Sequence, residues 1–204
     1  MTKRITRGPG RRAFFRETFL RVVGPVTDYL EGRAPPTRGD ATPASSGSRF
    51  SRPLRPPGAI DEFRFSEVCQ RCGACVEICP AHAIFPLSES AGRGAGTPVI
   101  DADRAACVVC TGLMCTTVCP SGALLPILEP RDIRMGLAEV YASVCVRSAG
   151  ESCTICVDRC PLGTAAIRFN DDGPPEVLSP GCVGCGVCQL FCPTTPKAIV
   201  VTPS

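Results

Sequence analysis

Cys69-Gln70-Arg71-Cys72-Gly73-Ala74-Cys75-Val76-Glu77-Ile78-Cys79-Pro80 is the stretch that decides how this chain is read. Three cysteines stand at every third position, and a fourth, followed by proline, closes the run. The pattern returns near the other end as Cys182, Cys185, Cys188 and Cys192-Pro193. Two looser versions lie between them. One is Cys107, Cys110, Cys115 and Cys119-Pro120, with a longer middle gap. The other is Cys145, Cys153, Cys156 and Cys160-Pro161, whose first cysteine stands farther upstream. The four quartets use all sixteen cysteines of the 204 residues. A closely spaced thiolate triplet wraps one corner of an iron–sulfur cube, while the cysteine before proline reaches toward a second cube. This division predicts four [4Fe–4S] clusters.

Two other chemistries use many cysteines. Disulfide scaffolds belong to oxidising compartments and are usually short and irregularly spaced. Structural zinc favours paired Cys-x2-Cys knuckles a dozen or more residues apart. Neither needs a third cysteine two residues on, nor a Cys-Pro at the end of every run. Composition points the same way. With no Trp and only 5% aromatic residues, a conventional aromatic core is out of reach. Buried inorganic clusters would then replace much of the core and cross-link the backbone, so the cluster-binding part is expected to fold only with its metal. The formal charge of +3 counts neutral thiols; four thiolate-ligated clusters of charge about −2 bring the loaded protein to roughly −5. The basic balance is therefore no sign of nucleic-acid binding. No run of about twenty apolar residues exists to span a membrane.

Residues 1–33 are basic and contain Arg11-Arg12 before Phe14-Phe15. Glu17, Arg21 and Asp28 interrupt the apolar run that a twin-arginine export signal requires, and no small-residue cleavage site follows. Phe15, Phe19, Val22, Val26 and Leu30 instead form one stripe of helical period, with Gly24-Pro25 set to bend it. Such a basic amphipathic helix, over residues 11–30, could touch a membrane surface or dock on a partner. The segment places the protein in the cytoplasm with a membrane contact, the alternative being the periplasm by twin-arginine export. Residues 34–54 read as a disordered linker of Pro, Gly, Ser and Thr.

From Arg55 the chain reads as a small, cofactor-dominated α+β fold. Asp61-Glu62 opens a short helix delivering Cys69. Ile84 and Val99-Ile100 form a hairpin whose tip, 88–97, is flexible. Ala166–Phe169 and Pro175–Leu178 form another around 170–174, and Ala198–Val201 is a closing strand. Ile133–Ala138 reads as a short helix or turn and Val140–Val144 as a strand. Cys-Pro, hairpin, Asp, then Cys resembles the layout of a bacterial two-cluster ferredoxin, whose halves exchange their fourth ligands. The layout occurs twice, an internal repeat of about seventy residues. Two tandem dicluster-ferredoxin-like modules follow, 55–128 and 129–204, built of short β-hairpins and short helices.

Because the hairpins lie within each pair of runs, adjacent pairing is favoured. The proposed cluster ligands are then Cys69/Cys72/Cys75/Cys119, Cys107/Cys110/Cys115/Cys79, Cys145/Cys153/Cys156/Cys192 and Cys182/Cys185/Cys188/Cys160. The alternative is a nested arrangement, first run with fourth and second with third.

The gaps 2-2-3, 2-4-3, 7-2-3 and 2-2-3, the lead-in Arg55-Pro56-Pro57-Gly58-Ala59, the segment Ile133-Arg134-Met135-Gly136 and the upstream Arg11-Arg12 together resemble the NapG/MauM ferredoxin-type proteins over about residues 53–204. That resemblance implies a polyferredoxin that accompanies periplasmic nitrate reductase or methylamine dehydrogenase. It would pass electrons between a quinol-oxidising membrane protein and a terminal oxidoreductase. Electron transport needs only a row of one-electron sites. An enzyme needs more, and the sequence offers little. His82, the only histidine, has no acid–base partner and reads as a surface or hairpin residue. No phosphate loop or dinucleotide fingerprint occurs, and no cysteine is left over as a nucleophile. The alternative to an electron carrier is an iron–sulfur maturation or structural subunit that does not cycle its clusters.

Overall fold

The computed structural model describes residues 52–170 and 173–204. The amphipathic segment or export signal expected in 1–33, and the linker up to residue 51, lie outside the described residues. At 52–54 the linker expectation is corrected. Leu54 is buried and its carbonyl accepts the Ile100 N–H at 2.8 Å, because an apolar side chain next to the hairpin gains from cover. The described residues belong to one compact unit.

The first helix, α1 (Glu62–Val68), starts where the Asp61 carboxylate accepts the Phe63 N–H at 3.0 Å, an N-cap that satisfies a donor the helix itself cannot. It buries Phe65 completely and leaves Phe63 77% exposed. The Cys69 N–H still bonds the Phe65 carbonyl at 2.9 Å, so the last turn delivers Cys69. Next come α2 (Ala74–Glu77) and a hairpin of β1 (Ile84–Pro86) and β2 (Pro98–Ile100), in the register Ile84↔Ile100, Phe85↔Val99, Pro86↔Pro98. The proline pair ends the ladder because neither residue has an N–H to give.

The hairpin tip is not the loose loop expected. It winds as a 3-10 segment, Glu89–Gly94, and Arg71 pins it from outside. Arg71 donates through Nε to the Ala95 carbonyl at 2.8 Å and through its guanidinium to Arg93 at 2.9 Å, while also reaching the carbonyls of Ser66 and Cys69. The five-donor fork of arginine suits this gathering of carbonyls, and nothing in the tip's own composition announces it.

Beyond α3 (Met114–Thr117), the expected helix-then-strand order is corrected. A 3-10 turn at Pro130–Asp132 precedes β3 (Gly136–Val140), and 142–144 form a turn. Gly136 lies so close to the backbone opposite that a Cβ there would sit 2.3 Å from the Thr202 carbonyl oxygen. Its partner is the distant β6 (Ile199–Pro203), antiparallel from Gly136↔Pro203 to Val140↔Ile199. Between them stand α4 (Ile155–Asp158), a small hairpin of β4 (Ile167–Arg168) and β5 (Glu176–Val177), and α5 (Val187–Phe191). An echo of the β3–β6 pairing occurs earlier. Ala59 and Leu124 form a single antiparallel bridge, reinforced by Ile60 N–H to Ala123 at 3.1 Å and Leu125 N–H to Gly58 at 2.7 Å.

The core is thin in large side chains: Phe65, Leu124, Ile133 and Val183 are the largest apolar side chains that are fully buried. One cation supports it. Arg55 is buried, forks onto the two Glu62 oxygens at 2.7 and 2.6 Å, and bonds the Thr97 hydroxyl and Pro98 carbonyl at 2.8 Å each. Its guanidinium lies 4.5 Å from the centre of the Phe65 ring. Removing one member of a buried, hydrogen-bonded ion pair is strongly destabilising because the other is stranded. Arg55→Met is therefore expected to cost about 3 kcal/mol, read as a lowered thermal midpoint of anaerobically purified protein. An unchanged midpoint would show that the fork is not needed.

Candidate metal centres

Each cysteine run turns through residues with positive φ, which is what lets neighbouring thiols face one side. In the first run these are Arg71 (φ 56) and Gly73 (φ 78), after which α2 carries Cys75. In the second they include Val109 and Leu113, the latter opening α3 with Cys115. Left-handed backbone is costly for such side chains, so its recurrence here marks loops shaped for a purpose.

The thiols meet in four cavities. Site A is walled by Cys69, Cys72, Cys75 and Cys119. Site B has Cys79, Cys107, Cys110 and Cys115. Site C has Cys145, Cys153, Cys156 and Cys192, and site D has Cys160, Cys182, Cys185 and Cys188. Each cavity takes three thiols from one run and one from the Cys-Pro of another. The rest of each wall is largely apolar, with Phe65 and Leu124 in site A and Ile167 and Val183 in site D. The space free of protein atoms ranges from about 350 to about 710 Å³, part of it open to solvent. Four soft thiolate donors suit iron–sulfur or zinc chemistry. Among the described residues no three His, Cys, Asp or Glu side chains converge on a single-ion position; the thiols stand around voids. That donor set fits an iron–sulfur cluster. His82 is exposed and lines none of these cavities.

Burial, with the repulsion of neighbouring thiolates added, pushes the Cys75 and Cys156 thiols up to about 11. Burial likewise pushes Cys107, Cys115 and Cys185 up to about 12. Without metal these thiols are neutral at neutral pH, and loading the sites must release their protons. Cys119 and Cys192 differ. Burial acts to raise them too, but hydrogen bonds outweigh it and hold both thiols below the usual value.

The donors behind that difference follow Cys119-Pro120 and Cys192-Pro193, and at Cys119 the foremost is the Leu124 N–H, 3.4 Å from Sγ. The Ser121 hydroxyl lies 3.6 Å from Cys119 Sγ and the Thr194 hydroxyl 3.2 Å from Cys192 Sγ. Ser121 Oγ accepts the Ala123 N–H at 3.4 Å, and Thr194 Oγ1 accepts the Ala198 N–H at 2.8 Å. Each hydroxyl oxygen is thus occupied as an acceptor, and its proton is free to point at sulfur. The Ala83 N–H reaches Cys79 Sγ at 3.4 Å. The sequence reading overlooked Ser121 and Thr194. Their signal was present as Cys-Pro-Ser and Cys-Pro-Thr, against Cys-Pro-Ala and Cys-Pro-Leu in the other two runs. Arg147 was also overlooked. It sits in the 3-10 turn Val146–Ala149 that follows the displaced Cys145, bonds the Gly173 carbonyl at 2.7 Å and stacks 4.1 Å over Phe169.

Known proteins share these features. The family described as a 4Fe-4S dicluster domain matches residues 68–123. A methylamine utilization ferredoxin-type protein MauM from Methylophilus methylotrophus is 35% identical, covering 96% of this chain and 87% of its own. The ferredoxin-type protein NapG of Escherichia coli is 39% identical, covering 79% of this chain and 74% of its own. With identity at that level running through the cysteine runs and beyond them, the chain belongs to the family of MauM and NapG ferredoxin-type proteins, iron–sulfur electron carriers rather than enzymes in themselves.

Proposed function

We propose that the chain carries four [4Fe–4S] clusters in two tandem dicluster modules, 55–128 and 129–204, and relays single electrons between redox protein partners. The observation that carries this reading is the grouping of all sixteen thiols into four cavities of four. That grouping supports adjacent over nested pairing, since sites A and B draw only on the first two runs and sites C and D only on the last two. Strand pairing supports the module division: Ala59–Leu124 closes the first stretch and β3–β6 the second.

When bound, each cluster supplies one-electron chemistry. The chain's part is to exclude water with apolar walls, to hold the thiolates, and to set potentials through hydrogen bonds to sulfur. Ser121 and Thr194 do this at sites A and C. A quinol-oxidising membrane protein and a terminal oxidoreductase are the partners of this relay, in a respiratory or dehydrogenase complex, and the MauM and NapG ferredoxin-type relatives support such an electron-transfer setting. Nothing in the reading calls for nucleic acid. No helix among the described residues is long and apolar enough to cross a membrane, so membrane contact would pass through residues 11–30. The charges that interrupt that segment favour the cytoplasmic face, with Arg11-Arg12 as the argument for export instead.

Anaerobically purified protein is expected to contain about sixteen iron and about sixteen acid-labile sulfide per chain; zinc without sulfide would end the electron-transfer reading. Cys145→Ala, which takes one ligand from site C, is expected to lower the iron toward about twelve. Thr194→Val keeps shape and removes the donor. One hydrogen bond of about 1 kcal/mol corresponds to about 40 mV for a single electron. A redox titration is therefore expected to show one cluster shifted down by about that amount and the others unmoved. Failure of every cluster to reduce with a low-potential donor would favour a structural or maturation role.

A further inference from the structure

Sites A and B are neighbours, and so are C and D. The helices α2 and α3, carrying Cys75 and Cys115, pack together, as do α4 and α5, carrying Cys156 and Cys188. The thiols of each pair lie within electrostatic reach of one another. What joins the two halves is less expected. The Cys107 N–H of site B donates to the Cys185 carbonyl of site D at 2.9 Å, and these two thiols are also within reach. Gly186, the next residue, has φ +85 and lies against the loop leading into Cys107. A Cβ there would come within 2.8 Å of Ala102 Cβ and 3.6 Å of Ala106 Cβ. On α5, buried Gln189 donates to the Asp103 carboxylate at 2.9 Å while its own oxygen accepts the Val201 N–H at 2.8 Å. The start of α5 is thus clamped onto the entrance of site B with no room for a methyl group.

We infer, on the four-cluster reading above, that electrons cross the chain in the spatial order A, B, D, C rather than in the order of the cysteine runs. The step between the halves takes place at the seam of Cys107 and Cys185. Electron exchange falls steeply with distance, so clusters joined by ligand-to-ligand contact exchange first. The order makes A and C the terminal sites, where partners exchange electrons with the chain. Two observations agree. Cys72 of site A is the one cysteine of the sixteen that is exposed. The sites with hydroxyl donors on sulfur are A and C, the two ends, while the interior sites B and D have Ala81 and Leu162 at the matching positions. The relay therefore has chemically similar ends and a different middle.

The test compares two full-length chains, each lacking one site but keeping the seam residues. Cys182→Ala with Cys188→Ala empties site D, and Cys145→Ala with Cys153→Ala empties site C. Electron paramagnetic resonance of the fully reduced proteins reports which clusters are magnetically coupled. Emptying D is expected to leave one isolated, uncoupled cluster beside a coupled pair, and emptying C to leave three clusters coupled in a row. The reverse result, with emptying C isolating a cluster and emptying D leaving a coupled triad, would establish the order of the runs and overturn the inference. Ala102→Leu in the otherwise intact chain gives a second reading should either variant fail to fold. It widens the seam against Gly186 and is expected to weaken coupling between the halves while that within A–B and C–D persists. Unchanged coupling between the halves overturns the seam as the crossing point. A parent chain with too little iron and sulfide for four clusters fails the reading beneath, and the iron count shows that separately.

Discussion

The constraint on which the structure depends is the sharing of thiols between cysteine runs. Three closely spaced cysteines can be gathered by a single loop, but the cysteine before proline points away from its own run and completes the wall of the neighbouring cavity. Every cavity therefore ties together two segments that are remote in sequence. The hairpins, the short helices and the strand pairings that close each half work within that tie. A chain with so few large apolar residues in its interior has little else to hold these segments together. A metal group bound at four points in each cavity would contribute to folding directly.

Burial and hydrogen bonding act in opposite directions on the same atoms, and their balance differs between cavities. Burial, with neighbouring thiolates adding to it, makes a thiolate unfavourable at Cys107, Cys115 and Cys185. A donor aimed at sulfur reverses this, as at Cys119 and Cys192. The groups that do so belong to the turns after Cys119-Pro120 and Cys192-Pro193: the Leu124 N–H with the Ser121 hydroxyl at the first, and the Thr194 hydroxyl at the second. In iron–sulfur sites, hydrogen bonds of this kind to sulfur make otherwise similar centres unequal in electron affinity.

Arginines carry much of the remaining organisation. Arg55 gathers Glu62, Thr97 and Pro98 under the first helix. Arg71 fastens the hairpin tip to the loop of site A, and Arg147 ties the turn after Cys145 to Gly173 and Phe169. None of these roles has a local signature, because each guanidinium finds carbonyls or a ring brought near by the fold. The tip at 89–94 shows the consequence. Its Ser, Gly and Ala content reads as loose, yet it is ordered by a residue in another loop.

The sequence by itself determined the cysteine runs that carry the family, the start of the first helix at Asp61, and the hairpin strands at Ile84 and Val99-Ile100. Spacing, capping chemistry and β-branched residues act over a few positions, so a few positions suffice to read them. It misplaced the strand at Gly136–Val140, because that segment becomes a strand by pairing with Ile199–Pro203 at the far end of the chain. Tertiary structure alone decided that the Ser121 and Thr194 hydroxyls reach sulfur, and that Cys107 meets Cys185 with Gly186 against Ala102. The physical reason is the same for each. These relations depend on the approach of segments distant in sequence, and such approach is set by packing and not by local residue pattern.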